Sequence, residues 1–260
     1  MSNRATAVNN TVTPQPKRPA LFSRLGAFSL VIGMVIAFFI SQLIGVYIAG
    51  RLWLPATKST TIGDIFFFGS NDGTVVSVSI IISCILLMAL SYLIVRVKSG
   101  DIREYLAIKP FSLAVGIGMF GILLLFMIGS QALTYFLDKS PLVFVDPLYQ
   151  SVSSVWLLVF AMVIVAPIYE ELVFRGILWS AVAEQFAPAK LNGALLASIV
   201  TSFIFAVIHL QYGIYEITTI VVLAFIFCYA RIKSGSLVLP MLLHIINNGV
   251  AMWQYLTQVG

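Results

Sequence analysis

The chain has 260 residues, of which 60% are hydrophobic and only 10% charged, with a formal net charge of +5 and a mean hydropathy of +1.02. A soluble globular domain carries about 25% charged residues, so this composition excludes a water-soluble enzyme and points to a helical protein of the bilayer. The positive charge does not indicate nucleic acid, because the basic residues are spread between apolar runs, where insertion signals sit.

Residues 1 to about 20 are polar, with Pro14, Pro16 and Pro19, and read as a disordered tail. The apolar run from Gly26 to Ala49 is too long for a signal-peptide core and reads as the first span. A mixed loop, Arg51 to Asp72, follows, with a short apolar patch from Ile65 to Phe68. The second span is Val75 to Val95, the densely charged loop Arg96 to Lys109 comes next, and the third span is Phe111 to Leu137. After a short loop, Asp138 to Asp146, a fourth span starts near Val152 and runs into Glu170 and Glu171, with a kink expected at Pro167. The moderately apolar stretch Gly176 to Ala187 reads as an interfacial helix. Three further spans are expected near Leu191 to Leu210, Ile214 to Ile232 and Leu237 to Leu256. The fold class is therefore all-α, a polytopic transmembrane helical bundle of about seven spans, between six and eight. Three parts follow: a cytoplasmic tail over 1–25, N-terminal spans over 26–137 and a C-terminal core over 152–256. Cys84 and Cys228 both lie inside apolar runs and read as small buried hydrophobes rather than a disulfide or metal pair.

Lys and Arg divide unevenly between the two sides. One side holds twelve: Arg4, Lys17, Arg18 and Arg24; Arg96, Lys98, Arg103 and Lys109; Arg175 and Lys190; Arg231 and Lys233. The other holds three, Arg51, Lys58 and Lys139. Cytoplasmic loops carry the excess of positive charge, so a multi-pass cell-membrane protein with a cytoplasmic N-terminus is expected, and Glu170 lies toward the cytoplasmic face.

Ionisable residues inside apolar spans are costly and mark functional sites. Here Pro167-Ile168-Tyr169-Glu170-Glu171-Leu172-Val173-Phe174-Arg175-Gly176 follows the apolar run Val155 to Val165. On a helix Glu171 and Arg175 stand at i and i+4 and can pair. Glu170 is turned away by about 100° and has Phe174 at i+4, so it stays free to exchange a proton. The only two histidines lie further on: His209, one turn after Phe205, and His244, one turn before Asn248. Each polar group would be unfavourable alone in hydrocarbon, so convergence on one polar cavity is expected. A carboxylate and an imidazole can hold a water and take its proton. A second imidazole and an amide can donate to a developing oxyanion. The spacing leaves open which histidine does which job. No nucleophile elbow and no phosphate-binding glycine loop competes.

The ordered set Glu170-Glu171-x-x-x-Arg175, Phe205-x-x-x-His209 and His244-x-x-x-Asn248, with Gly235-Ser236-Leu237 and Pro240 before the last, resembles the CPBP family. These are the CAAX proteases and bacteriocin-processing proteins, also called the Abi family, and include the type II CAAX prenyl endopeptidases. The resemblance covers about Val155 to Tyr255; the first three spans carry no signature of it. It implies an intramembrane glutamate protease core open to the cytosolic side, so that 152–256 would be catalytic. By that resemblance Glu170 with His209 would activate water, and His244 with Asn248 would form the oxyanion site. Glu171 and Arg175 would support Glu170, with no metal or other cofactor. The expected partners are a protein or peptide substrate at the membrane and the lipid bilayer.

Three other readings remain at this stage. His209, His244 and a glutamate could hold Zn²⁺ with an open position, although H-E-x-x-H is absent. Some relatives are thought to act as bacteriocin-immunity or sensor-regulating proteins without proteolysis. A proton-coupled transporter would use the same residue types, but no inverted repeat is seen. Strictly alternating spans raise one difficulty, since Glu170 would sit near the cytoplasmic face while His209 ends an outward-running span. A re-entrant 176–187 segment, a deeper start to the fifth span or an eighth span would each bring the motifs together.

Overall fold

A computed structural model of the chain describes residues 20–139, 144–186, 190–209 and 211–259. The expected disordered tail falls almost wholly on residues 1–19, outside the described residues. All regular structure among the described residues is helical. The helices are α1 (Arg24–Trp53), α2 (Ile62–Gly69), α3 (Gly73–Val97), α4 (Ile102–Tyr105), α5 (Leu113–Phe136), α6 (Val145–Ser151), α7 (Val155–Phe186), α8 (Lys190–Val207), α9 (Ile214–Ser234) and α10 (Val238–Val259).

Local chemistry sets many of the boundaries. Ser23 caps α1 by accepting the Gly26 N–H, and Asp72 caps α3 by accepting those of Thr74 and Val75. Thr61 and Asp64 cap α2 reciprocally as a capping box. Gly235 ends α9 in the left-handed region, at φ +62°, a conformation that costs glycine no Cβ clash. The Ser236 hydroxyl then accepts the Val238 N–H at the start of α10 and donates to the Lys109 carbonyl, while the Leu237 N–H bonds Ala107. The Gly-Ser-Leu signature thus stops one helix, starts the next and ties both to the loop before α5.

Five helices, α1, α3, α5, α7 and α9, are long and apolar enough to cross a membrane. The two remaining expected spans are also helices. The apolar part of α8, Asn192–Val207, is shorter. His244, Asn247, Asn248 and Gln254 dilute α10. The bundle is polytopic and all-helical, as its sequence indicates.

Helix α7 departs from expectation. It continues through Pro167 instead of breaking there, and 176–187 does not form a separate interfacial helix, since α7 runs unbroken to Phe186. A π-helical stretch, Phe160–Val165, immediately precedes the proline segment, and a second, Leu172–Leu178, follows the glutamates. The wider turn before Pro167 relieves the clash of its ring with the preceding carbonyls and absorbs the missing N–H. Beyond the glutamates, Ile177, Leu178 and Ala181 are fully buried, a core environment rather than an interfacial one.

Contacts at the ends of the helices fix their common direction. At one end Ser180 donates to the Tyr105 carbonyl, Glu184 accepts the N–H groups of Leu21 and Phe22, and Leu237 meets Ala107. At the other end Thr134 bonds Tyr215, Tyr255 bonds Asp146, and the Gly73 N–H bonds Ser151. The first end carries Arg24 and the loop from Arg96 to Lys109 and is called the basic end here. Between the ends α1 and α3 pack closely: a Cβ at Gly45 would stand 2.7 Å from the Ser79 carbonyl oxygen.

Candidate active site

The polar groups gather at mid-depth on α7, between its two π-helical stretches, where such irregularities often accompany function. Glu170 lies 15 residues from Val155 and 16 from Phe186, about 22–24 Å from either end at 1.5 Å per residue. It is thus central, not near an end. This removes the difficulty with His209, because α8 rises about the same distance from the basic end before His209. The long fourth span brings the motifs together, with no re-entrant segment needed.

Glu171 and Arg175 are both 0% exposed. The Arg175 Nη1 donates to Glu171 Oε1 at 2.9 Å and Nη2 to the Ala224 carbonyl at 3.2 Å. Its guanidinium lies over the Phe205 ring at 4.3 Å and near the Phe227 ring at 5.4 Å, a desolvated setting in which cation–π attraction is strongest. The expected i,i+4 pair is present, and aromatic rings from α8 and α9 enclose it.

His244 adds the connection that spacing could not reveal. Its Nδ1 lies 2.9 Å from the same Glu171 Oε1, and its Nε2 lies 3.7 Å from Glu170 Oε2. The imidazole packs almost parallel to Phe227, with centroids 4.8 Å apart and planes at 30°. The same Glu171 Oε1 accepts from Arg175, so His244 Nδ1 is read as a second donor to it, and Nε2 is the edge turned to Glu170.

The His209 Nδ1 lies 2.6 Å from the Phe205 carbonyl, which can only accept, so Nδ1 is the donor and Nε2 the free edge. The expected Phe205–His209 stacking is present at 4.8 Å between centroids. The Asn248 Nδ2 donates to the Met162 carbonyl at 3.1 Å, which joins α10 to the first π-helical stretch. The structure therefore joins Glu170, Glu171, Arg175 and His244 in one contact network. His209 and Asn248 line the same cavity as Glu170 and His244.

That cavity has a volume of about 620 Å³. From the glutamate it runs toward the loops around Ser70, Phe144 and Gln211, away from the basic end. On the basic side of Glu170 the bundle is filled by Phe174, Ile177, Leu178 and Leu237, each fully buried. Several lining groups went unremarked in the sequence: Gln42, Ser83, Tyr169 and Tyr212. Gln42 and Ser83 are polar residues inside the first and second spans, on α1 and α3, the same signal that singled out the histidines, but without a motif around them. Cys84 and Cys228 are both free.

Residues 152–250 match the family described as Type II CAAX prenyl endopeptidase Rce1-like. A relative from Escherichia coli, described as an uncharacterized 24.3 kDa protein, is 34% identical over 96 residues, which is 36% of this chain and 42% of the relative. The chain thus spans less than half the length of the curated relative it matches. No solved structure matches it. The match begins just before α7 and ends within α10, so it contains all six polar residues of the motifs. Over residues 152–250 this chain is thus similar to the CAAX-protease (CPBP) family, in its Rce1-like branch.

Proposed function

We propose that this protein is an intramembrane endopeptidase of the glutamate type, which uses an activated water to hydrolyse a peptide bond of a membrane-associated protein or peptide. The observation that carries the reading is the inequality of two adjacent carboxylates. Glu171 is committed to Arg175 and to His244 Nδ1, whereas Glu170 meets the cavity and the Nε2 edge of His244. One carboxylate holds the site together and the other is available for proton transfer.

Charge balance supports the division of labour. Buried charges persist only when compensated. Glu170, Glu171 and Arg175 with a neutral His244 leave one negative charge in excess, so the neutral cluster holds one more proton, shared between Glu170 and His244. With that proton on His244, Glu170 is a base and His244 Nε2 is a donor. Glu170 then takes one proton from water, while His209 Nε2 accepts a hydrogen bond from the O–H that remains. The water oxygen attacks the carbonyl carbon, and the oxyanion receives hydrogen bonds from His244 and the second N–H of Asn248. Collapse of the tetrahedral species breaks the C–N bond, and Glu170 returns its proton to the leaving amine.

These steps need no metal. Among the described residues, no group of three His, Cys, Asp or Glu side chains is placed to hold a metal ion. The basic loops favour a cytoplasmic N-terminus. Of the twelve basic residues counted on that side, Arg175 and Arg231 are buried in the bundle; without them the excess over Arg51, Lys58 and Lys139 remains. Purified protein should cleave members of a quenched peptide library, and Glu170→Gln should lose that cleavage while keeping its thermal transition. Wild-type protein that binds peptides but cleaves none would favour the non-proteolytic reading.

A further inference from the structure

We infer that Arg231 of α9 is a positioning residue for the glutamate site. Its Nε–H holds a backbone carbonyl that the second π-helical stretch of α7 releases, and so fixes the placement of Arg175, Glu171 and His244. This rests on the endopeptidase reading given above, but one arm of its test needs no turnover.

Each π-helical stretch of α7 withdraws the regular partner of one carbonyl. In an α-helix the Met162 carbonyl accepts the N–H of residue 166. Here the Ala166 N–H goes to Ala161, and the next residue, Pro167, has no N–H to offer. Asn248 Nδ2 of α10 fills the gap at 3.1 Å. In regular geometry the Arg175 carbonyl accepts the Trp179 N–H, but that N–H is directed to Phe174 and Gly176. Arg231 Nε supplies a donor in its place at 3.3 Å. A buried carbonyl without a partner is unfavourable, so each irregular turn is held by a side chain from a neighbouring helix. Glu170 and Glu171 lie between these two attachments.

The surroundings of Arg231 fit directional donation rather than an ion pair. It is buried, at 7% exposure, and forms no ion pair among the described residues. Its guanidinium lies over the Trp179 ring at 5.0 Å, and it occupies the last turn of α9, where the helix dipole favours a cation. The charge is thus accommodated without a counter-ion, and the bond to Arg175 is the directional contact it makes.

Helix α9 also holds the other end of Arg175. The Ala224 carbonyl accepts from Arg175 Nη2. Ala224 and Arg231 stand about two turns apart on one face of α9, so Arg175 is gripped by its backbone and its guanidinium at once. Arg175 Nη1 reaches Glu171 Oε1, which also meets His244 Nδ1, and the Nε2 of that ring faces Glu170. Loss of the Arg231 bond lets the turn at Arg175 relax, and the displacement passes along this chain to Glu170.

The test exploits the reach of the side chain. Glutamine carries its amide nitrogen as many bonds from Cα as arginine carries Nε, so Arg231→Gln keeps the donor and loses the charge. Arg231→Met puts a methyl group there and loses the donor; Arg231→Leu serves should that variant fail to fold. With purified full-length protein and a quenched peptide, Arg231→Met should lower kcat by about 10²-fold, the scale of a misplacement of about 1 Å, with KM unchanged. Arg231→Gln should restore most of kcat. Equal losses in the Gln and Met variants would mean that charge matters and donation does not. Wild-type kcat in the Met variant would mean that neither does, and each of these results overturns the inference. The second arm follows modification of Glu170 by a hydrophobic carbodiimide, read by mass spectrometry. Its rate should change in Arg231→Met and keep the wild-type value in Arg231→Gln; an unchanged rate in Arg231→Met overturns the inference. If wild-type protein cleaves nothing while labelling follows the expected pattern, the endopeptidase reading fails and the positioning role stands.

Discussion

Helices α5 and α7 are both apolar and both long enough to span a bilayer, yet they occupy opposite environments. In its most apolar window α5 is 17% buried, whereas α7 is 67% buried. Leu113, Leu125 and Tyr135 of α5 face outward at 75%, 72% and 83% exposure. On α7 the residues from Leu172 to Leu178 are all buried, including a guanidinium. The comparison teaches what each helix is for. A helix bathed in lipid needs only hydrocarbon, and its side chains are interchangeable. A helix surrounded by other helices can hold charges, provided each meets a partner, and there almost every side chain is constrained by its neighbours.

The largest expected effect lies on the constrained helix. Glu170→Gln should reduce peptide cleavage by about 10²–10⁴-fold, the contribution of a positioned base, with folding unchanged. Retention of more than about a tenth of the activity, which corresponds to a barrier change of only about 1.4 kcal/mol, would show that Glu170 is not the base. Arg175→Leu should come next. It leaves Glu171 as an uncompensated buried charge and should cost about 3–5 kcal/mol of stability, measured as a lower thermal midpoint in detergent. An unchanged midpoint would mean that Glu171 is neutral in the fold.

Glu171→Gln should act on both properties at once, lowering activity and stability together. It removes the anion that fixes the tautomer of His244 and pairs Arg175. Activity lost at full stability would move Glu171 from support to direct chemistry. On α5, Leu125→Ala should change stability by no more than about 0.5 kcal/mol. A larger loss would indicate that α5 packs against a further surface in the membrane. Chelation should have the smallest effect of all: cleavage by protein treated exhaustively with chelator should equal that of untreated protein. Activity abolished by chelation and restored by stoichiometric Zn²⁺ would make His209 and His244 ligands.

Legibility of the site followed the range of each interaction. The Glu171–Arg175 pair is a four-residue relation on a single helix, and the Phe205–His209 stack joins the last turn of α8 to the residues just past its end; both are local in sequence, and helical periodicity suffices to suggest them. The contact between His244 and Glu171 spans 73 positions. Polar residues in apolar spans indicated that these groups would converge, but not which histidine would meet which carboxylate. The free edges of the two imidazoles depend on the Phe205 carbonyl and on Glu171, so the split of roles became arguable only with both bonds in view.

By itself the sequence determined that the chain is a helical membrane bundle, where most of its spans fall, and that its basic loops share one side. Those properties follow from transfer of side chains between water and hydrocarbon, which each segment expresses independently of the others. Tertiary structure alone decided that α7 runs through Pro167 and past Gly176 as one helix. That required a widened turn before the proline and a core to receive Ile177 and Leu178. It also decided which way the cavity opens. A void is a property of how several helices fail to fill the space between them, and no single stretch of sequence carries that.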